Sequence, residues 1–237
     1  MAADAAPALL YLPTLPAPGG RVALAAEDSH YVARVCRARV GESVEGTDGS
    51  GRRALLRLIE VRDGVTVEVE SVADEPRGRR AWVLCGAPEG ERADWLVEKL
   101  AELGIERFVP VDCSRAAWRL AAGRKARWER LAIAALRQSR RTRLLTVDEP
   151  APLERALAAL PETRSRWLAD ASGAVPVGPT AVSELSVVLV GPSPGLDERE
   201  REAVAAAGFR SLRLAEARLR TETAALAWAA LWSSGSG

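Results

Sequence analysis

The sequence has few residues of the types that bind metals or form disulfides. Its 237 residues include one histidine, His30, and three cysteines, Cys36, Cys85 and Cys113, which lie far apart and are odd in number. These residues do not have the spacing of a zinc site, so no metal is expected. Unpaired cysteines favour a reducing compartment, and we expect a cytoplasmic protein. No run of about 20 apolar residues occurs, so no membrane-spanning helix is predicted.

The net charge is also small, at a formal value of +1. A chain so nearly neutral has no global field that would attract nucleic acid. The charge is uneven, however, because ten basic residues lie between Arg115 and Arg143, where Glu129 is the only acidic residue. Two interpretations stay open. The segment is either a solvated helix face or a surface that binds phosphate, since guanidinium groups pair well with phosphate oxygens.

The N-terminal third has a β-rich pattern. Residues 1–20 carry no basic residue before a short apolar run, unlike a signal peptide, and are expected to be a flexible lead-in. Residues 21–75 contain segments rich in Val, Leu and Ile that are separated by glycine turns. The predicted strands are 21–25, 43–47, 53–61 and 65–72, with a short helix over 28–37. Four strands and one helix favour a small barrel, a type common among RNA-binding modules.

Residues 76–232 follow a polar linker and alternate between strand and helix patterns. The predicted strands are 81–85, 105–111, 166–169, 187–190 and 209–214. The predicted helices are 92–103, 124–139, 153–160, 197–207 and 221–232. This alternation is typical of an α/β domain with a parallel sheet. The Ser-Gly-rich residues 233–237 are expected to be a disordered tail.

Two loops in this domain are candidates for ligand binding. Gly191–Gly195 and Ala215–Thr223 each follow a predicted strand and lead into a helix, the place where α/β sheets bind ligands. The first loop, Gly-Pro-Ser-Pro-Gly, is neither a Walker loop nor a GxGxxG motif. Asp197 and Glu200 form a capping box behind it, which disfavours an anionic ligand. Thr221 is the expected N-cap of the last helix. We predict one shared small-molecule pocket.

The combination of motifs is more specific than any one of them. A strand ending in VGPxxG at Gly195 and the segment LRTETAAL at 219–226 resemble the C-terminal signature of the bacterial 16S ribosomal RNA uridine-N3 methyltransferases, a family of the SPOUT class. DWLVEKLAELGIERFVPVDCSRA at 94–116 and RWERLAIAALRQSRR at 127–141 are also similar to family segments. His30, Arg34, Arg37, Gly41 and the DGxG run at 48–51 resemble its N-terminal barrel. The resemblance spans about residues 21–232.

This resemblance implies a fold and a cofactor. It implies a PUA-like β-barrel domain over 21–75, then a SPOUT methyltransferase domain over 76–232 whose chain ends in a deep trefoil knot, against the general rule that chains avoid knots. It also implies a homodimer that acts on ribosomal RNA of the small subunit, without a metal. The implied cofactor is S-adenosylmethionine, bound between the two loops by Leu168, Val190, Gly191, Gly195, Leu214, Leu219, Thr221, Thr223 and Ala224.

The implied reaction methylates N3 of a uridine, a nitrogen that is a poor nucleophile until its proton leaves. A base or a charge that stabilises the uridine anion is therefore useful. Arg220 is the candidate for stabilising the anion, and Glu222 is the candidate proton acceptor or a simple helix-capping residue. The candidate RNA-binding residues are Arg34, Arg37, Lys99, Arg140 and Arg141.

The chain also departs from the family pattern. Ser193 and Pro194 replace Glu and Gly in the first loop, and Ala215 and Ala217 stand where the family has Gly and Arg. An alternative hypothesis is therefore a catalytically weak or inactive relative that binds RNA. A third hypothesis is a nucleotide-binding α/β enzyme that does not act on RNA, although the chain has no phosphate-loop motif.

Overall fold

The computed structural model describes residues 9–62, 64–89, 92–119, 121–175 and 184–234. The chain forms two compact units. One comprises Met1–Arg77 and Leu136–Leu144, and the other comprises Gly78–Ala135 and Leu145–Gly237. Within the described ranges, no helix has the length and apolar character needed to cross a membrane.

The first unit is built on a five-stranded sheet. Its strands are β1 (Leu9–Tyr11), β2 (Arg21–Ala23), β3 (Ser43–Thr47), β4 (Arg52–Glu60) and β5 (Thr66–Asp74). A short helix, α1 (Ala26–His30), continues into a π-helical turn (Tyr31–Val35). The order in the sheet is β1-β3-β4-β5-β2, with β1 parallel to β3 and the other pairs antiparallel. The four predicted strands and the predicted helix are thus present, with somewhat different bounds.

The strand β1 corrects the predicted lead-in. Leu9–Tyr11 pairs with β3, and Leu10, Leu12 and Leu15 are buried in the core of this unit. The short apolar run therefore supplies core side chains, and the prediction of a flexible lead-in over 1–20 is wrong for residues 9–15. The run was not predicted as a strand because it is short and Pro13 and Pro16 follow it closely, which is typical of irregular chain. Residues 1–8 lie outside the described residues.

A segment from later in the chain belongs to the first unit. Residues 136–144 are grouped with it, although the sequence analysis placed them in the second domain. Thr142 donates a hydrogen bond to the Glu75 carboxylate at 2.6 Å, and Arg143 donates to the carbonyl oxygens of Ser50 and Glu75 at 2.6 and 2.8 Å. These contacts join residues far apart in sequence, so no local pattern predicts them.

The second unit is a parallel α/β structure. Its strands are β6 (Arg80–Cys85), β7 (Arg107–Asp112), β8 (Thr146–Val147), β9 (Ala151–Pro152), β10 (Ser165–Ala174), β11 (Leu185–Val190) and β12 (Arg210–Leu212). Its helices are α2 (Ala93–Glu102), α3 (Arg124–Ser139, whose last residues belong to the first unit), α4 (Leu153–Ala158), α5 (Glu198–Ala206) and α6 (Thr221–Ser234). The predicted α/β architecture is confirmed.

The sheet places the ends of its central strands side by side. The order is β12-β10-β11-β6-β7-β8, with β9 also paired to β7, and every pairing is parallel. All six residues of β11 are buried; five are apolar, as expected for a central parallel strand, and the hydroxyl of the sixth, Ser186, is hydrogen-bonded to that of Ser165. The connections after β10, β11 and β12 therefore emerge at one edge of the sheet.

The last helix extends through part of the predicted tail. The helix α6 includes Ser233 and Ser234, so the prediction of disorder over 233–237 is wrong for these two residues. Trp228 and Trp232, one turn apart, are buried and anchor the helix by its apolar face. Residues 235–237 lie outside the described residues.

Candidate functional site

A cavity of about 470 Å³ opens at the carboxyl ends of β10, β11 and β12. Three chain segments form most of its wall, namely residues 168–171, residues 190–196 and residues between Leu212 and Ala224, and Arg201 of α5 completes it. The two loops that the sequence predicted to share a pocket do meet here. The volume is within the usual range of about 300–1,000 Å³ for a small-molecule site.

The first loop is fixed against the end of β6. Gly195 has a φ of 78°, and its N–H donates to the carbonyl of Pro192 at 2.8 Å, which closes a tight turn. Gly86, directly after β6, lies so close that a Cβ there would be 2.5 Å from the backbone nitrogen of Pro192. Only glycine allows this approach, and the loop cannot shift toward β6.

Thr221 links the two loops. Its hydroxyl donates a hydrogen bond to the carbonyl of Gly191 at 3.1 Å. The carbonyl of Arg220 accepts the first helical bond of α6, from Ala224 at 2.8 Å, so Arg220 and not Thr221 is the N-cap residue. The expected capping role of Thr221 is therefore wrong, and its side chain instead ties the start of α6 to the end of β11.

Most of the predicted cofactor residues lie together on the cavity wall. Thr223 is the exception, because it is exposed on α6 and does not line the cavity. The predicted residues that do line it are Leu168, Val190, Gly191, Gly195, Leu214, Leu219, Thr221 and Ala224.

The two candidate catalytic residues have different surroundings. Arg220 is exposed and lines the cavity. Glu222 is 1% exposed, does not line it, and accepts a hydrogen bond from Arg92 at 2.8 Å. A buried carboxylate needs such a partner because desolvation of an unpaired charge is costly. The ion pair occupies Glu222 and argues against its role as a proton acceptor.

An acidic residue that the sequence analysis did not select also lines the cavity. Asp170 lies where the pairing of β10 with β12 shifts register, between Ala169 and Ala174. Its carboxylate accepts from the Ser172 N–H at 2.9 Å and the Ser172 hydroxyl at 2.7 Å, and from Arg201 at 2.7 Å. Hydrogen bonding by the Ser172 backbone lowers the pKa of Asp170. The cavity thus contains a carboxylate that stays ionised at neutral pH.

The cysteines near this edge of the sheet are not nucleophiles. Cys85 ends β6 and Cys113 follows β7, and both are buried. Burial raises the pKa of Cys85 well above its ordinary value, and burial chiefly raises the pKa of Cys113 to about 12. Both thiols stay protonated at neutral pH, which disfavours covalent catalysis by either one. The part of the chain that the structure describes contains no group of three potential metal-binding side chains.

The candidate RNA-binding residues lie in both units. Arg34 and Arg37 are exposed in the first unit, and Arg37 has a φ of 52°. Arg140, also in the first unit, pairs with Glu45, and burial lowers the pKa of its neighbour Arg141.

Lys99 lies on α2 in the second unit. Its ammonium group is 2.7 Å from the carboxylates of both Glu98 and Glu102. Hydrogen bonding to Glu102 is the main cause of its raised pKa. These two carboxylates would compete with a phosphate for the lysine.

The second unit is thus an open parallel α/β structure with a ligand pocket at the carboxyl edge of its sheet. Comparison with known proteins identifies the family to which this α/β chain belongs. Residues 75–233 match the family described as the RNA methyltransferase domain. The ribosomal RNA small subunit methyltransferase E of Mycobacterium bovis is 30% identical over 236 residues, covering 92% of this chain and 87% of that protein. The Bacillus subtilis protein of the same name is 26% identical over 216 residues, 84% of each chain.

A solved structure agrees with these relatives. The ribosomal RNA small subunit methyltransferase E of Neisseria gonorrhoeae, bound to S-adenosyl methionine, superposes with a TM-score of 0.83 at 27% identity, over 96% of this chain and 97% of that one. The chain belongs to the RNA methyltransferase family, and the resemblance found in its sequence is confirmed.

Proposed function

We propose that the protein is an S-adenosylmethionine-dependent methyltransferase of ribosomal RNA and that it methylates N3 of a uridine in 16S rRNA. The main support is the cavity between the Gly191–Gly195 loop and the connection before α6. In the gonococcal relative a chain of the same fold holds S-adenosyl methionine. The signature segments that resemble the uridine-N3 enzymes form the wall of this cavity.

The cavity has the chemistry that this cofactor requires. Leu168, Val190, Leu214 and Leu219 supply apolar contacts for an adenine ring, and the flanking glycines bring backbone groups close to it. Asp170 supplies an anion, which suits a ligand that carries a sulfonium cation and ribose hydroxyls. The bound cofactor provides the methyl group, and the protein has to place uracil N3 in line with it.

Arg220 is the residue that we assign to the uracil. It is exposed, lies on the cavity wall and carries a positive charge that would stabilise the anion left when N3 loses its proton to solvent water. Glu222 is buried in its pair with Arg92 and holds the first turn of α6 in place. We therefore assign anion stabilisation to Arg220 and a positioning role to Glu222.

The first unit is the proposed RNA-binding module. Four of the five candidate residues, Arg34, Arg37, Arg140 and Arg141, belong to it, and its small sheet is consistent with a PUA-like barrel. Guanidinium groups suit phosphate contacts, so the affinity for RNA should fall as salt concentration rises. The fifth candidate, Lys99, can contact a phosphate only when its carboxylate partners, Glu98 and Glu102, are displaced.

Three further features belong to the same proposal: a trefoil knot in the second unit, a homodimer and a cytoplasmic location. The knot is supported by the course of the chain after β12. That strand lies at one edge of the sheet, yet α6 packs against β6, β11 and α2. The segment between them passes beside the Gly191–Gly195 loop, to which Thr221 is bonded.

The function is tested by methyl transfer from S-adenosylmethionine to 16S rRNA isolated from cells that lack this gene, with the modified nucleoside identified by mass spectrometry. We expect N3-methyluridine at one position. Arg220→Ala should lower kcat about a hundredfold, the effect of losing a charge that stabilises an anionic transition state. Arg213→Ala, which removes an exposed arginine that does not line the cavity, is the matched control.

This assay, together with a measurement of RNA affinity, separates the alternatives. Binding of RNA without methyl transfer would favour the inactive relative. A lack of both RNA affinity and methyl transfer would favour a nucleotide-binding enzyme that does not act on RNA. Full activity of the Arg220→Ala protein would contradict the assignment of that arginine.

A further inference from the structure

The Gly191–Gly195 loop is held by its carbonyl oxygens. Four consecutive carbonyls accept a hydrogen bond: Gly191 from the Thr221 hydroxyl at 3.1 Å, Pro192 from the Gly195 N–H at 2.8 Å, Ser193 from Arg218 at 2.7 Å, and Pro194 from Arg115 at 3.1 Å. Pro192 and Pro194 have no N–H, so the loop has few amide donors with which to hold itself. The conformation of the loop is therefore fixed mainly by hydrogen-bond donors from other segments of the chain.

These donors come from two other segments of the second unit. Arg218 lies in the connection between β12 and α6, and Thr221 is the first residue of α6, so the two lie on either side of Arg220. Arg115 lies in the turn after β7. Both arginines are exposed, so neither bond is needed to satisfy a buried group. A structural role in the core does not explain why both guanidinium groups reach the same five-residue loop.

We propose that Arg115 and Arg218 are positioning residues that hold the Gly191–Gly195 loop in the conformation that receives S-adenosylmethionine. This inference rests on the proposed function, because the loop is one wall of the proposed cofactor cavity. Pro192 and Pro194 give the loop a backbone with few donors, and the two arginines compensate by binding its carbonyls. Arg218 also lines the cavity, so it connects the loop to the segment that carries Arg220.

The geometry predicts that removing either arginine affects cofactor binding but not turnover. Thr221 still joins α6 to Gly191 when either arginine is removed, so Arg220 keeps its anchor. Without the arginines, the free loop samples more conformations, and cofactor binding has to restore order. Arg218→Ala and Arg115→Ala should therefore raise the KM for S-adenosylmethionine and leave kcat at saturating cofactor within about twofold, since ordering is complete once the cofactor is bound.

The first experiment needs no cofactor. Hydrogen exchange of the Gly195 amide reports on the loop, because that N–H donates to Pro192 inside the turn. We expect faster exchange in Arg115→Ala and Arg218→Ala and an additive or larger effect in the double variant. Arg213→Ala should exchange like the wild type, and Arg218→Lys should recover part of the protection because it keeps a cationic donor. The midpoint temperature of thermal unfolding of the unliganded variants should stay close to that of the wild type.

The second experiment measures S-adenosylmethionine affinity by calorimetry on the full chain. Each single variant should raise Kd about two- to tenfold, the range that one hydrogen bond of ordinary net strength produces. Unchanged Kd values in both variants would overturn the proposal, even if the Gly195 amide exchanged faster. Unchanged exchange would overturn it as well. If the wild type itself does not bind the cofactor, the proposed function fails, whereas unchanged Kd in the variants beside normal binding by the wild type overturns only the role of the two arginines.

Discussion

Two carboxylates near the cavity are each paired with an arginine, and the pairs differ in burial. Glu222 is 1% exposed and bonded to Arg92, whose side chain is 48% exposed. Asp170 is 15% exposed, lines the cavity, and is bonded to Arg201, whose side chain is 53% exposed. The two pairs have similar N–O distances of 2.8 and 2.7 Å. Their distances therefore do not distinguish them, but the surroundings of the carboxylates do.

The difference indicates which carboxylate is free to meet a ligand. Glu222 is enclosed by protein, so it needs Arg92 to offset the cost of its desolvation. Asp170 faces the cavity and also accepts hydrogen bonds from Ser172, and its partner Arg201, which is half exposed like Arg92, lines the cavity as well. We infer that the first pair stabilises the start of α6 and that the second leaves its carboxylate available for binding. The following changes test this contrast, from the largest expected effect to the smallest.

Arg92→Ala should give the largest loss of stability. It leaves the Glu222 carboxylate buried without its cationic partner, and we expect a loss of about 3 kcal/mol in the free energy of unfolding, at the low end for a broken buried pair because Arg92 is half exposed. Chemical denaturation measures it. The double variant Arg92→Met with Glu222→Gln removes both charges and should recover most of the loss. A double variant as unstable as Arg92→Ala would contradict the ion-pair explanation.

Asp170→Asn should act mainly on the cofactor. It keeps the shape of the side chain and removes its charge, so we expect about a tenfold rise in the Kd for S-adenosylmethionine, equivalent to ~1.4 kcal/mol. The free energy of unfolding should change far less than it does in Arg92→Ala. Calorimetry at constant pH and salt measures the affinity, and an unchanged Kd would remove Asp170 from the binding site.

The pH dependence of cofactor binding provides a separate test of Asp170. Its pKa is lowered in the folded protein, so the carboxylate is ionised throughout the range above the ordinary aspartate value of about 3.9. Its contribution to stability and binding is therefore present from neutral pH down to that value and is lost only as the pH falls through the lower, folded-state pKa. Cofactor affinity should be flat between about pH 5 and 7. A decline centred in that range would point to a different group.

Arg201→Ala should give the smallest effect. A pair between a half-exposed arginine and a carboxylate that is still reached by solvent contributes about 0–1 kcal/mol. We expect the free energy of unfolding to change by less than about 0.5 kcal/mol and the Kd for the cofactor to change less than threefold. Both effects should be weaker at high salt. A loss of stability as large as that of Arg92→Ala would mean that the two pairs are equivalent.

Much of this fold could be predicted from local patterns. The helix over 124–139 was predicted with both of its bounds, because its apolar residues follow helical spacing. The strand ending at Val190 was predicted from an unbroken apolar run. The meeting of the two loops follows from the parallel arrangement alone, since the carboxyl ends of such strands share one edge.

What could not be predicted depends on distant partners. Glutamate is common in the first turn of a helix because its charge interacts favourably with the helix dipole. The sequence therefore gave no indication that Glu222 is buried. Its partner Arg92 is 130 residues away in sequence. Asp170 is different, because it directly follows the predicted strand 166–169, at the carboxyl edge of the sheet where ligands bind, and this signal was not used in selecting site residues. The placement of residues 136–144 in the first unit depends on similar long-range contacts.

The carbonyl bonds of the Gly191–Gly195 loop have a consequence for mutational tolerance. Every residue type presents the same carbonyl oxygen, so replacing Ser193 by another side chain leaves its bond from Arg218 intact. Substitution of Ser193 should therefore leave the loop in place, whereas substitution of Arg115 or Arg218 removes a donor that holds it. The loop conformation is thus encoded more by residues outside the loop than by the side chains within it.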